Sequence, residues 1–267
     1  MKDDSLILKA TGVDAGTFLQ GQLACDTSVL ASDRWTYSAY CTSQGNVLAL
    51  LWVFPWTDGV LLRLPRATAP AFLAQIRKYI QDSDVHISET ALHFGAFAGD
   101  NPSDEQRLIP ADGKTLIGGV PGVIPYISAQ PQADALPAET WYAARIRAGI
   151  PEIYADTAGQ FTPVMLNLTA LGAISPKKNG YIGNDAIARQ PHKAHHHLAT
   201  ATASAPALAS SERTLYAKGK VAGTLLDYGH DATGTILQAV IEDRYLGKAL
   251  HLRDETHPLH FQRAATP

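Results

Sequence analysis

The sequence predicts an α+β protein built on antiparallel sheets, and three observations lead to this class. Short strand-like runs alternate with single helices in the first hundred residues, without the long crossover connections that parallel strands need. The runs Trp35–Cys41 and Val47–Phe54 are separated by five residues that include Gly45, which favours a hairpin. After residue 213, strand-like runs alternate with Gly and Asp turns, which indicates a small antiparallel β domain.

Helix signals occur at three places in the first 150 residues. Asp14 is predicted to cap a helix whose apolar residues keep to one face. Thr68 is predicted to cap a second helix with Pro70 just inside it. A third helix is predicted over Glu139–Ala148, with Gly149 ending it.

The rest of the chain gives weaker signals. Residues 99–137 are rich in Gly, Pro, Asp and Ala, with short apolar islands at Leu116–Ile117 and Val123–Ile127. A short helix is predicted near Asp185–Arg189, stopped by Pro191. The small-residue tract Ala199–Ser211 is typical of a linker or a domain boundary.

Composition excludes several classes of protein. The 267 residues carry a formal charge of −3, which argues against a generally basic nucleic-acid binder. The longest strongly apolar run, Val47–Phe54, is far shorter than the roughly 20 residues that span a bilayer. The N-terminus is acidic, unlike a targeting peptide, so a cytoplasmic protein with no membrane partner is expected.

Generic catalytic and metal motifs give little. Cys25 and Cys41 lie in apolar segments and are predicted to be small buried side chains rather than nucleophiles. His192 and His195–His197 form a cluster, but no nearby Cys, Asp or Glu completes a ligand set, so no metal site is predicted. No catalytic residue is assigned either.

Several segments share residues with one family. They follow each other in a fixed order along the chain: Phe18-Leu19-Gln20-Gly21-Gln22-Leu23 with Asp26, Cys41 with Ser43-Gln44-Gly45-Asn46, Lys78-Tyr79, Gly149-Ile-Pro151, Gln160-Phe161-Thr-Pro163, Asn167-Leu168, Lys178-Asn179-Gly180-Tyr181-Ile-Gly183-Asn184-Asp185, and Ala188-Arg189. In this pattern the chain resembles the YgfZ-type folate-binding proteins, which are related to the aminomethyltransferase (T-protein) of glycine cleavage.

The resemblance implies a three-module aminomethyltransferase-like fold with antiparallel sheets, helices and a small C-terminal β-barrel. The expected modules are a discontinuous folate-binding domain over 1–52 and 130–195, a second α+β domain over 53–129, and the C-terminal barrel over 196–267. The family is linked to the maintenance of iron–sulfur enzymes, including those that thiomethylate tRNA. The expected partners are therefore folate and iron–sulfur client enzymes, with no direct binding of nucleic acid.

The resemblance also implies tetrahydrofolate as the cofactor and suggests which residues hold it. Lys178 and Arg189 are candidates for the glutamate tail, and Asn167 for an edge of the pterin ring. Tyr181, Phe161 and Met165 are candidates for the walls of the ring pocket. Each of these side chains has an ordinary structural alternative, such as a solvated lysine or core packing.

The departures from the family pattern are specific. Gly180 stands where the family has its signature cysteine, and Asn184-Asp185 replaces a longer Gln-Glu pair. Arg147 occupies the position at which T-protein relatives carry an acidic residue that pairs with the pterin. A guanidinium only donates hydrogen bonds, so it does not replace that acceptor.

Three functions remain open from the sequence. The first is a folate-binding accessory protein without turnover of its own. The second is a folate-dependent one-carbon (aminomethyl) transferase, for which Asp26, Asp156 or Asp185 would have to act as the general base. The third is a diverged interaction scaffold that no longer binds folate, which the changes at Arg147 and Gly180 would permit.

Overall fold

The computed structural model describes residues 5–30, 33–81, 83–190, 195–203, 213–252 and 258–264. Within these ranges every strand pairing is antiparallel, and the helices are short, which confirms the α+β class. None of the described helices is long and apolar enough to cross a membrane.

The chain divides into two compact units. The first comprises Met1–Leu136, Ile153–Pro163 and Leu168–Gln190, and the second comprises Pro137–Glu152, Val164–Asn167 and Pro191–Pro267. The three-module division expected from the resemblance stays a prediction.

The described residues of the first unit form two sheets and three α-helices. Its strands are β1 (Ser5–Thr11), β2 (Thr36–Cys41), β3 (Val47–Trp56), β4 (Gly59–Pro65), β5 (His86–Glu89), β6 (His93–Ala98), β7 (Leu108–Ala111), β8 (Lys114–Ile117) and β9 (Val123–Ser128). Its helices are α1 (Ala15–Gln22), α2 (Ala69–Ile76) and, following α3 of the second unit in the chain, α4 (Asn184–Ala188). The strand orders are β2-β3-β4-β1-β5 and β6-β9-β8-β7. The apolar islands of residues 99–137 thus become β8 and β9.

The two faces of the five-stranded sheet bury different side chains, because side chains alternate along a strand. On one face Leu8 and Leu51 pack with Phe18 of α1 and Phe72 of α2 in the main core of the unit. On the other face an aromatic cluster surrounds the buried Arg63, whose guanidinium carbon lies 4.8 Å from the centroid of the Phe94 ring. The cluster comprises Trp35, Tyr37, Trp52, Phe54 and Phe94.

The two predicted N-terminal caps form different bonds from those expected. The Asp14 carboxylate accepts from the backbone N–H of Asp84 at 2.8 Å and caps no helix N–H. The Thr68 hydroxyl donates to the carbonyl of Ile153 at 2.7 Å instead of capping α2. Both side chains bind partners that lie 70 or more residues away in the chain. A local sequence pattern does not reveal such partners.

The second unit consists of α3 (Ala138–Arg147) and a C-terminal group of strands. These strands are β10 (His196–Ala203), β11 (Thr214–Ala217), β12 (Lys220–Asp231), β13 (Gly234–Glu242), β14 (Ala249–Leu250), β15 (Leu259–His260) and β16 (Gln262–Arg263). One sheet has the order β11-β12-β13-β10-β16, and β14 pairs with β15. The described strands form no closed ring, so barrel closure stays a prediction.

Helix α3 approaches the C-terminal sheet closely at a glycine. A Cβ atom on Gly229 of β12 would lie 2.2 Å from the backbone nitrogen of Ala143, so only glycine fits there. Ala143 and Ile146 pack against Ile236 of β13. The helix ends as predicted, with Gly149 at a φ of +71°.

The predicted linker Ala199–Ser211 is wrong in its first part. Residues 199–203 belong to β10, which pairs with β13 along its whole length. Ala199 and Ala201 are buried in the core of the C-terminal sheet, where small side chains fit the packing. Residues 204–211 lie outside the described part of the chain.

Candidate functional site

The opening motif of the first unit forms a locked turn after α1. The Gln20 side-chain oxygen accepts from the Thr27 backbone N–H at 2.8 Å, and its amide nitrogen donates to the Asp26 carboxylate at 3.1 Å. The same carboxylate accepts from the N–H of Ser28 at 3.0 Å. These bonds, those from Ser28 first, lower the pKa of Asp26 and make it a weak base.

Lys178 reaches the same turn from 150 residues further along the chain. Its ammonium donates to the carbonyls of Leu23 at 2.7 Å and Cys25 at 2.6 Å, and the residue is only 9% exposed. Burial lowers the pKa of the ammonium. Two of the three ammonium protons therefore form hydrogen bonds with backbone carbonyls. Through these bonds Lys178 stabilises the turn that follows α1.

Tyr181 packs beside Lys178. The Lys178 ammonium lies 5.9 Å from the centroid of the Tyr181 ring, within the range of a cation–π contact. Tyr181 is buried, and this burial raises the pKa of its hydroxyl to about 12. Two of the predicted ligand residues thus meet, but their mutual contact is part of the packing of the first unit.

Gly183 brings the motif against the hairpin between β2 and β3. A Cβ atom on Gly183 would lie 2.4 Å from the Thr42 carbonyl oxygen, and Gly183 adopts a φ of +82° just before α4. Gln190 donates through its side-chain amide to the carbonyl of Gly45 at 3.1 Å. Two of the segments that carry the family resemblance are therefore in direct contact.

An open depression of about 470 Å³ lies along this motif. Its walls include Tyr181, Ile182, Asn184, Asp185 and Arg189. The Arg189 side chain is exposed, which leaves its guanidinium accessible to a carboxylate. The depression combines an apolar wall with an amide, a carboxylate and an exposed guanidinium, a mixture typical of small-molecule sites.

Gly180, at the position of the family's cysteine, lies at the rim of this depression. It is exposed, and a Cβ atom built on it would meet nothing within 4 Å. Its φ of +78°, however, is a conformation that L side chains rarely adopt. There is room for a side chain at this position, but the local backbone favours glycine.

A second hollow of about 390 Å³ is lined in part by Asp26 of the turn after α1. Polar groups from four parts of the first unit line it, namely Asp26, Arg34, Gln106 and Ser175. The loop that contains Ala173 and leads into Ser175 is bound to the edge strand β2, because the N–H of Ala39 donates to the carbonyl of Ala173 at 3.0 Å.

The other predicted ligand residues are distributed over both units. Phe161 is buried in the first unit, where its carbonyl accepts from the N–H of Val47 at 2.8 Å. Met165 and Asn167 belong to the second unit and are half-buried, and Asn167 adopts a left-handed φ of +56°. Their roles toward a ligand stay predictions.

Arg147, which stands where T-protein relatives are expected to carry an acidic residue, has a carboxylate partner. Its guanidinium donates to Asp231 and, at 2.7 Å, to the Thr233 hydroxyl in the β12–β13 turn. Hydrogen bonding from Arg147 lowers the pKa of Asp231 to about 2. The charge of Arg147 is therefore balanced within the second unit.

Two positions before Arg147 lies a buried ion cluster that the sequence did not indicate. The Arg145 guanidinium donates to Asp227 and, at 2.6 Å, to the carbonyl of Ile150, and it lies 3.8 Å from the Glu152 carboxylate. All three charged side chains are at most 2% exposed. The cluster holds the Gly149–Pro151 turn onto strand β12.

The remaining candidates behave as structural groups. Cys25 and Cys41 are buried, and burial raises the pKa of both thiols, that of Cys41 to about 12. In the described part of the chain, no three His, Cys, Asp or Glu side chains are grouped to hold a metal ion. His197 pairs with Asp243 at 2.9 Å, whereas His192 lies outside the described residues.

Comparison with known proteins gives consistent relatives. No family model matches the chain. The chain is 28% identical over 293 aligned positions to the tRNA-modifying protein YgfZ of Shigella sonnei (strain Ss046), covering 96% of this chain and 85% of that protein. The protein of the same name from Escherichia coli (strain K12 / DH10B) is 27% identical with the same coverage.

A solved structure shows the same fold. The glycine cleavage system aminomethyltransferase T from Bartonella henselae matches with a TM-score of 0.69 at 14% sequence identity. The match covers 98% of this chain and 83% of that chain. At this identity the match confirms the aminomethyltransferase-like fold and carries no statement about activity.

Proposed function

We propose that this chain is a diverged member of the YgfZ-type family and acts as a folate-binding accessory protein that supports tRNA modification through iron–sulfur enzymes. Tetrahydrofolate is the proposed ligand, and the protein performs no turnover of its own. The observation that carries the proposal is the intact motif structure: Lys178 and Gly183 still hold the motif against α1 and the first hairpin.

The open depression beside α4 is the proposed contact region. Arg189 is its accessible cation, and it would pair with the carboxylates of the glutamate tail. Tyr181 and Ile182 would supply the apolar wall, and Asn184 an amide for the ring edge. Lys178 would act by positioning the motif, since its protons go to backbone carbonyls.

The lowered pKa of Asp26 counts against the transferase alternative. A general base for one-carbon transfer works best with a pKa near the operating pH, and Asp26 is shifted the other way by its hydrogen bonds. The accessory role requires no such base.

Titration calorimetry of the full chain with 5-formyltetrahydrofolate tests the proposal. The wild type is expected to bind, and Arg189→Gln is expected to weaken binding about tenfold through the loss of one charge-assisted contact. Lys177→Gln removes an exposed charge of the same sign outside the depression and should leave binding unchanged. With pteroic acid, which lacks the glutamate tail, Arg189→Gln should have no effect. Absence of binding at millimolar ligand would refute the proposal and favour the interaction scaffold.

A Gly180→Cys variant separates folate binding from thiol chemistry. In a strain that lacks its own YgfZ protein, we expect the variant to restore thiomethylated tRNA better than the wild type, if the family's cysteine contributes chemistry at the rim. Gly180→Ser controls for the strain of a side chain at positive φ. Equal rescue by all three proteins would show that the thiol is dispensable.

A further inference from the structure

A third cavity, unrelated to the motif of the first unit, is lined by residues of the C-terminal strands and turns. It is open to solvent and has a volume of about 1120 Å³. Its aromatic lining comes from Tyr216 and Tyr245, and its basic lining from Lys218, Lys220, Lys248 and His251. None of the described lining residues carries a carboxylate.

Backbone bonds fix the walls of this cavity. Tyr216 and His251 exchange two hydrogen bonds, N–H to carbonyl, of 2.8 and 2.9 Å, which joins β11 to the segment around β14. The N–H of Lys248 donates to the carbonyl of Tyr245 at 3.1 Å and closes a turn at the opposite wall. The cavity is therefore framed by strands and turns that are tied to each other.

The lysines are presented outward by tight turns. Lys218 and Gly219 both have positive φ angles, +49° and +76°, as in the two-residue hairpin turns that match strand twist. Lys218, Lys220 and Lys248 are exposed. The Tyr245 ring carries two cations, with the Lys248 ammonium at 5.8 Å and the Arg244 guanidinium carbon at 4.9 Å from its centroid.

We propose that this cavity binds a short segment of RNA. Three separate exposed ammonium groups suit a chain of phosphates better than a single anion, and lysine acts on phosphate as a point charge. The half-buried Tyr216 lies beside these cations, and aromatic rings beside a cationic groove hold single-stranded nucleic acid without reading its sequence. The volume of about 1120 Å³ exceeds the range of about 300–1,000 Å³ of common small-molecule pockets.

The inference deepens the proposed function and rests on its link to tRNA. It also departs from the expectation that the chain binds no nucleic acid, which relied on the overall charge of −3. A net charge is a sum over the whole chain, whereas RNA responds to the local field of a groove. Here three exposed lysines line one cavity, and none of its described lining residues carries a carboxylate.

Fluorescence polarisation with a labelled single-stranded oligoribonucleotide of about a dozen nucleotides and with unfractionated tRNA tests the inference on the full chain. Lys220→Gln with Lys248→Gln is expected to weaken binding about tenfold at about 0.1 M salt and to reduce the salt slope by about 2. Arg77→Gln with Lys78→Gln removes the same charge from an exposed part of the first unit and should change little. Equal losses in both double variants would overturn the inference.

Two further arms identify the ligand. Lys220→Arg with Lys248→Arg keeps the charges and should retain RNA binding. If a nucleoside monophosphate displaced the labelled RNA as well as unlabelled RNA does at the same phosphate concentration, the cavity would be assigned to free nucleotides. That result would overturn the inference. Folate titration of the Lys220→Gln/Lys248→Gln variant should match the wild type. Loss of folate binding in this variant would place the folate here and overturn the inference, whereas failure of Arg189→Gln alone affects only the proposed folate site.

Discussion

The lysine of the motif and the lysines of the C-terminal cavity show opposite uses of the same side chain. Lys178 is buried and donates to two backbone carbonyls, so it stabilises the first unit. Lys220 and Lys248 are exposed at the rim of a cavity, where their charges face solvent. A lysine in a family motif is thus not necessarily a ligand residue, and lysines outside any motif can form a cationic surface. Burial and partners distinguish the two uses.

The largest effect on stability is expected where a buried cation, Arg145, is removed. Arg145→Met leaves Asp227 and Glu152 buried without their guanidinium, so the free energy of unfolding of the second unit should fall by about 3–5 kcal/mol. Urea denaturation measures the change. The exposed Arg244 serves as the control, and Arg244→Met should alter stability by less than about 1 kcal/mol. Similar effects of both variants would show that burial does not separate structural from surface cations.

Lys178→Met should destabilise the first unit by about 2–3 kcal/mol. Methionine fills a similar volume, but the carbonyls of Leu23 and Cys25 lose their donor in a buried place. The neighbouring Lys177 is exposed, and Lys177→Met is the matched control with an expected change near zero. Stability would be followed by urea denaturation. If Lys178→Met kept full stability and lost only folate binding, Lys178 would be a ligand residue after all.

The smallest effect on stability is expected for the partly exposed ion pair between Arg147 and Asp231. The folded-state pKa of Asp231 is about 2, below its ordinary value of 3.8, so the pair stabilises the protein above pH 3.8 and loses this contribution as the pH falls toward 2. Asp231→Asn should remove that part of the acid dependence at a cost of less than about 1 kcal/mol near neutral pH. Thermal unfolding between pH 2 and 5 measures it, and an unchanged profile would contradict the assignment.

Local signals in the sequence were sufficient for the elements that depend on neighbours in the chain. The β2–β3 hairpin and the end of α3 at Gly149 follow from turn residues a few positions away. Asp14 and Thr68 were misjudged because their partners lie far along the chain. Ala199 and Ala201 were misjudged because small residues serve a linker and a tightly packed strand equally well.

In the candidate site, too, the sequence indicated residues within a motif but not the contacts that they make with distant parts of the chain. The family motif indicated Lys178 and Tyr181, which are in contact, but the fate of the lysine protons depends on the carbonyls of a turn 150 residues away. Arg145 was missed because its carboxylate partners belong to a loop and a strand that no periodic pattern connects. The cavity of the second unit was missed for the same reason, since the β11–β12 turn and the segment around β14 meet only in the folded chain.

The loop that contains Ala173 and lies along β2 affects how this protein aggregates when it is damaged. Strand β2 is the outer strand of its sheet, and the N–H of Ala39 is satisfied by Ala173 of that loop. The loop continues directly into Lys178, so whatever detaches it also leaves the N–H of Ala39 without its partner and exposes part of the strand edge to other chains. Damage to the motif should therefore be noticed first as turbidity and loss of yield, before any change in a binding curve is measured.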